Sequence, residues 1–219
     1  MRLKFYSKKA FTLAEALITF AILGVIAAMT IPGMILSMQK SEYVSGMKKS
    51  YTTLTNAVKK MNFANDMAEY KKFWSDETVF WNEFASQMRI MQICGNGESG
   101  CFTKDPIKKL NGSDAGIFNG KNYTLRTADG YCYQYTPGSA ESSTYGISAQ
   151  DSSKSIGVFA VDVNGDGRPN KIGHDLFFFV YVEDKGVIPA GFYDHSNCNK
   201  NNSGYSCAGR LLKEGKINY

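Results

Sequence analysis

Between Ala16 and Gln39 the chain runs for 24 residues without Asp, Glu, Lys, Arg or His. About 20 consecutive apolar residues suffice to cross the hydrocarbon core of a bilayer as a helix. The heart of this run, Ala16-Leu-Ile-Thr-Phe-Ala-Ile-Leu-Gly-Val-Ile-Ala-Ala-Met29, is apolar on every side. That suits lipid better than a half-buried surface helix. Arg2, Lys4, Lys8 and Lys9 precede the run, and residues 1–10 contain no acid. The short N-terminus is therefore expected to stay cytoplasmic while the rest crosses. A secretory signal peptide cut at Ala27-Ala28 and a plain single-span anchor share these features. Neither accounts for Glu15, a carboxylate with apolar neighbours at the start of the run. A charge deep in a membrane costs about 3 kcal/mol, so such a group needs a partner.

The segment Lys8-Lys9-Ala10-Phe11-Thr12-Leu13-Ala14-Glu15-Ala16-Leu17 resembles the processing motif of type IV prepilins and type II secretion pseudopilins. The resemblance implies that a prepilin peptidase removes leader residues 1–10. It would cut between Ala10 and Phe11 and leave Phe11 as an N-methylated first residue. Glu15 then falls at mature position 15 − 10 = 5, where the family carries a glutamate, and Pro32 at 32 − 10 = 22, where many pilins carry a kinking proline. Ala10 departs from the family, which usually has Gly before the cut. The resemblance further implies that residues 11–38 are a transmembrane and filament-core helix, with Glu15 and Pro32 acting in assembly. Residues 39–219 would be a globular pilin-like domain. The partners it implies are other pilin-like subunits and an assembly platform in the bacterial inner membrane, the domain lying on the periplasmic side. The product would be a type IV pilus or a type II secretion or competence pseudopilus. The competing readings are an exported or membrane-anchored binding or adhesin domain, and an anchored calcium-dependent sensor.

The formal net charge is +5, and residues 1–10 contribute +4, which leaves 5 − 4 = +1 for the remainder. A body that close to neutral gives no electrostatic case for binding nucleic acid. Only His174 and His195 are available as histidine bases. No nucleophile elbow, phosphate loop or dinucleotide fingerprint is present, so no enzyme is expected.

After the apolar run the pattern narrows to a stripe. Val44, Met47, Tyr51, Leu54, Val58 and Met61 recur at spacings of 3 and 4, the signature of one buried helix face. One helix is therefore expected from about residue 11 to about residue 62, its second half packed on the chain's own sheet. Ser75 is placed to cap a second helix reaching Met88, with Phe80, Phe84 and Met88 buried. Tyr123–Thr127 and Tyr131–Tyr135 flank Asp129-Gly130 as a hairpin. Residues 138–155 read as a loop, and 157–162 and 176–183 as strands. Helices followed by an antiparallel sheet make an α+β fold.

Five cysteines occur, none in a Cys-x-x-Cys pair. Export would place them where disulfides persist. Cys94 with Cys101 and Cys198 with Cys207 are the short-loop pairs, which leaves Cys132 over as a buried thiol; other pairings are compatible with the spacing. A zinc reading would instead add His195 to Cys198 and Cys207. Finally, Asp162-Val-Asn164-Gly-Asp166-Gly167-Arg-Pro-Asn170 opens like an EF-hand loop. It places oxygen donors at loop positions 1, 3, 5 and 9, and Gly at position 6. Position 12 is Gly173 and not a bidentate Glu, and the loop joins strands, so it is not an EF-hand. Major pseudopilins bind calcium in a C-terminal loop, and the resemblance implies calcium here on Asp162, Asn164, Asp166 and Asp175. The alternative is a turn in which Asp and Asn bond their own backbone.

Overall fold

The computed structural model describes residues 11–64, 76–96, 98, 100–103, 105–115 and 122–219. The leader 1–10 and Ser75 lie outside the described residues. The chain divides into two units, Met1–Gln39 and Lys40–Tyr219.

Helix α1 is Leu13–Ala64 and runs unbroken through Gly24 and Pro32. Its residues in the first unit present large apolar side chains outward all round, from Leu17 (60% exposed) to Met38 (66%). In the second unit its apolar stripe is buried: Tyr43, Val44, Met47, Leu54, Ala57, Val58 and Met61 join one core with the sheet, and Tyr51 packs partly buried against it. The Tyr51 and Phe179 rings stack at 5.8 Å between centroids.

Helix α2 is Glu77–Ser86, shorter than the sequence reading at both ends. Its cap is Asp76, whose Oδ1 accepts from the N–H groups of Thr78 and Val79. A carboxylate there both accepts the free amides and suits the positive end of the helix dipole. Phe80, Trp81 and Phe84 are buried, and Met88, beyond the helix end, packs partly buried against the same core.

Among the described residues six strands form one antiparallel sheet in chain order. They are β1 (Ile90–Cys94), β2 (Tyr123–Thr127), β3 (Cys132–Pro137), β4 (Ser155–Asp162), β5 (Leu176–Val182) and β6 (Gly186–Pro189). The β2–β3 turn holds Asp129-Gly130, with Gly130 in the left-handed region (φ 87°) and its N–H bonded to the Thr127 carbonyl. Strand β5 is buried at every position. Side chains alternate across a strand, so Phe177, Phe179 and Tyr181 face α1 and α2. Leu176, Phe178, Val180 and Val182 enter a second core with Ala140, Ile147, Ile172, Ile188 and Tyr205. Each such large side chain contributes about 1.5–3 kcal/mol by leaving water.

The second core is roofed by segments that read as loop in the sequence. Residues 138–155 contain two short helices, α3 (Ser142–Tyr145) and α4 (Ala149–Ser153), the latter capped by the Ser148 hydroxyl. Helix α5 (Cys207–Glu214) follows near the C-terminus. It docks through Gly209, where an added Cβ would lie 2.3 Å from the Gly191 carbonyl. The chain ends with the Tyr219 hydroxyl donating to the Gly173 carbonyl at 2.5 Å, its ring edge-on to His174.

Candidate functional site

Two sets of residues carry the functional expectations, and each lies within one unit.

At the N-terminal end, Phe11 is 88% exposed and α1 begins two residues later. Glu15 is closed on its own chain. Its Oε2 accepts from the Thr12 amide at 2.9 Å and from the Thr12 hydroxyl at 2.8 Å, while the Glu15 amide donates to the Thr12 hydroxyl oxygen at 3.3 Å. This reciprocal pair is a capping box, which satisfies helix-start donors that have no partner inside the helix. The Thr-x-x-Glu spacing was readable in the sequence, and Thr12 is the residue that reading missed. Beyond it, α1 is long and apolar enough to cross a membrane.

The second set lies in the turn between β4 and β5. Asp162 ends β4 opposite Leu176, and the Val163 amide donates to the Asp175 carbonyl. The ladder thus sets the two acids side by side. Asp162 is fully buried, and its Oδ1 accepts from the amides of Asn164 (3.1 Å) and Gly165 (3.0 Å). Asp175, also fully buried, accepts from the amides of Asn170 (2.7 Å) and Lys171 (2.6 Å), one on each oxygen. The Asn164 side-chain amide donates to the Arg168 carbonyl, which also accepts from the Tyr43 hydroxyl of α1. Helix and turn approach closely here because residue 46 is glycine: an added Cβ would stand 3.0 Å from Val163 Cβ.

Burial, then the charge of Asp175, pushes the Asp162 carboxyl up to about 8. Burial likewise raises Asp175, against the pull of the two backbone amides it accepts from. Three side-chain oxygens of this turn are buried without a partner: Asp162 Oδ2, Asn164 Oδ1 and Asn170 Oδ1.

The structure therefore brings Asp162, Asn164 and Asp175 together, but not Asp166. The Asp166 carboxylate turns outward and takes a two-point ion pair from Arg126, at 2.7 and 2.9 Å. Asn170, passed over as a ligand in the sequence, belongs to the cluster. Among the described residues no group of three or more His, Cys, Asp or Glu is placed to hold a metal. What the turn offers is two carboxylates and two amide oxygens, a hard all-oxygen donor set that fits calcium and not zinc.

The cysteines pair as Cys94–Cys101 and Cys198–Cys207. The second bond removes both thiolates from the zinc reading with His195. Cys132 is free and buried, and burial pushes its thiol up to about 12. It is therefore a poor nucleophile at neutral pH. Burial pushes His174 down to about 4, so it is neutral at pH 7.

Compared with known proteins, residues 6–31 match the family model described as the prokaryotic N-terminal methylation motif, the prepilin-type motif of type IV pilins and pseudopilins. No curated protein and no solved structure matches the chain.

Proposed function

From a chain whose residues 6–31 carry that motif, we propose a filament subunit of the type IV pilus or of a type II secretion or competence pseudopilus. The observation that carries this reading is the register of the motif with the apolar helix: the motif over residues 6–31 contains Glu15 and runs into an exposed span long enough for a bilayer. The motif points to a structural subunit and not to an enzyme.

In this reading a prepilin peptidase cuts between Ala10 and Phe11, and Phe11 is N-methylated. The new α-amine is a cation at the start of an apolar helix. Glu15 in the isolated subunit is satisfied by Thr12. On assembly its carboxylate turns to the amine of a neighbouring subunit, which pairs two charges that the apolar surroundings would otherwise penalise. Pro32, which lacks an amide donor, and Gly24 give the span two places where the helix is weakest. The outward apolar side chains of residues 17–38 contact lipid before assembly and other subunits after it. Lys40–Tyr219 lies on the periplasmic side and forms the filament surface. An inner-membrane platform moves subunits from bilayer to filament.

Intact-mass spectrometry of the protein co-expressed with a prepilin peptidase tests the proposal. The expected mature chain begins at N-methylated Phe11. An uncut chain, or one beginning near Met29, would overturn it and favour an anchored or exported binding domain.

A further inference from the structure

We propose that the cleft between α1, the residues just past α2 and the β2–β3 turn binds an extended acidic peptide segment of a partner protein, whose carboxylates meet Arg89 and Lys60.

The cleft has a volume of about 540 Å3, ample for a bound ligand. One wall is a single face of α1. Lys49, Thr53, Asn56 and Lys60 recur at spacings of 4, 3 and 4, so they stand in line along the helix. From the first to the last the helix rises about 16 Å. The facing wall combines Gln87 to Arg89 with Thr127 to Asp129. These two stretches are joined where the Ala128 amide donates to the Arg89 carbonyl at 2.9 Å. Ala57 and Tyr133 are buried and Met88 partly so, which puts apolar surface in the depth of the cleft.

Charge selects the class of ligand. Three cations line the cleft against one acid, 3 − 1 = +2, whereas the whole chain beyond residue 10 carries 5 − 4 = +1. The cleft is therefore more positive than the body around it, and a concave site concentrates that field on acidic groups. Lys49 is already committed, pairing with Asp129 at 2.7 Å. Lys60 and Arg89 are exposed and enter no ion pair among the described residues.

The placement of the two free cations narrows the choice further. Arg89 lies beside the Lys49 end of the cleft, through Ala128 and Asp129, and Lys60 stands three turns further along α1. Charges spread along a cleft suit a chain with spaced acids better than one compact anion. Four or five extended residues, at about 3.3 Å each, cover the interval. The Arg89 guanidinium can take a carboxylate by two parallel hydrogen bonds. Asn56 and Gln87 add side-chain amides of the kind that pair with a peptide backbone. The one aromatic residue among those lining the cleft, Tyr133, is buried, so bases would find no stacking platform. The inference does not depend on filament assembly.

The test is fluorescence anisotropy of a fluorescein-labelled pentapeptide, with glutamate at both ends and alanine and leucine between. It is titrated with the purified full chain in micelles of an uncharged detergent at low salt. Saturable binding is expected, weakened about tenfold or more by Arg89→Gln and by Lys60→Gln. Both side chains are exposed, so neither change threatens the fold. Lys59→Gln removes the same charge one residue away, beside a different cleft at the β5–β6 turn, and should keep the affinity within about twofold. Absence of saturable binding below about 1 mM would overturn the proposal. So would equal binding of a glutamine-ended peptide, unchanged affinity in Arg89→Gln or Lys60→Gln, or an equal loss in Lys59→Gln. Stronger displacement by inorganic phosphate than by chloride at equal ionic strength would overturn it in favour of a phosphate site.

Discussion

From Leu17 to Met38 every large apolar side chain of α1 is 49% exposed or more, whereas from Tyr43 to Met61 the stripe is buried against the sheet, with Tyr51 partly so. The helix is the same backbone throughout, so the difference lies in what covers it. The first half has no polar face, and its large apolar side chains are exposed. The second half has one apolar stripe, and its lysines, such as Lys48, Lys49 and Lys59, stay exposed. A helix that is greasy all round is specified by its surroundings, and one with a stripe is specified by its own fold. The first half can therefore change neighbours without disturbing the domain, as passage from bilayer to filament would require.

Paired substitutions in the two halves can break this contrast. Leu54 is fully buried, and Leu54→Ala should cost the domain about 2–5 kcal/mol in denaturant unfolding. Leu23→Ala, at 60% exposure, should leave the same transition unmoved. Equal losses would refute the division. Glycine gives the next largest contrast. Gly46→Leu drives a side chain into Val163 and Tyr131 and should cost about 1–3 kcal/mol. Gly24 has nothing within 4 Å of its would-be Cβ, so Gly24→Leu should not shift domain stability.

Thr12→Ala probes the polar feature that opens the first half. Loss of the cap should cost about 1 kcal/mol locally. In micelles that would speed hydrogen exchange of the first-turn amides about fivefold while the domain's amides stay as they were. The smallest effect concerns the exposed side of the second half, where Lys49 pairs with Asp129 at 2.7 Å. Burial raises the Asp129 carboxyl, but Lys49 and Thr127 more than offset it, so the net shift is downward. A lowered carboxyl stabilises the fold above its unfolded value and loses that contribution as pH falls through the folded one. The pair is well exposed, so Asp129→Asn should cost under about 1 kcal/mol near neutrality. The gap from wild type should begin to close near pH 4 and be gone below the folded value. A gap unchanged down to acid pH would show that the ion pair contributes nothing.

How much of this was legible follows from which signals are local. The stripe from Val44 to Met61 declares itself because helical periodicity is written into consecutive residues. The short-loop cysteine pairs are legible because sequence proximity limits their partners. Strand β5 was legible as a strand, but its two-sided burial was not. Its second cover is made of α3 and α4, four and five residues long, set by caps and tertiary contacts and too short for any period. Helix α5 was hidden by the Cys-Ala-Gly opening that lets it sit on Gly191. In the β4–β5 turn the sequence presented Asp166 as an equal of Asp162. Only the fold brings Arg126, 40 residues earlier, to claim it. The capping box at Thr12 was local and readable, but Glu15 had already been assigned to a neighbouring subunit.

The strict succession of β1 to β6 has a bearing on how such a domain could be made. Among the described residues each strand after β1 pairs with the strand synthesised before it. For a chain whose N-terminus stays on the cytoplasmic side while the residues after the span are threaded across, the stripe of α1 arrives first as a ready template. The strands then emerge one at a time, each onto an edge already in place. Unpaired edges invite aggregation, and a meander keeps only one growing edge open at any moment. After the sheet, α5 and Tyr219 seat onto Gly191 and Gly173, segments already laid down by then, and so fasten the fold from behind.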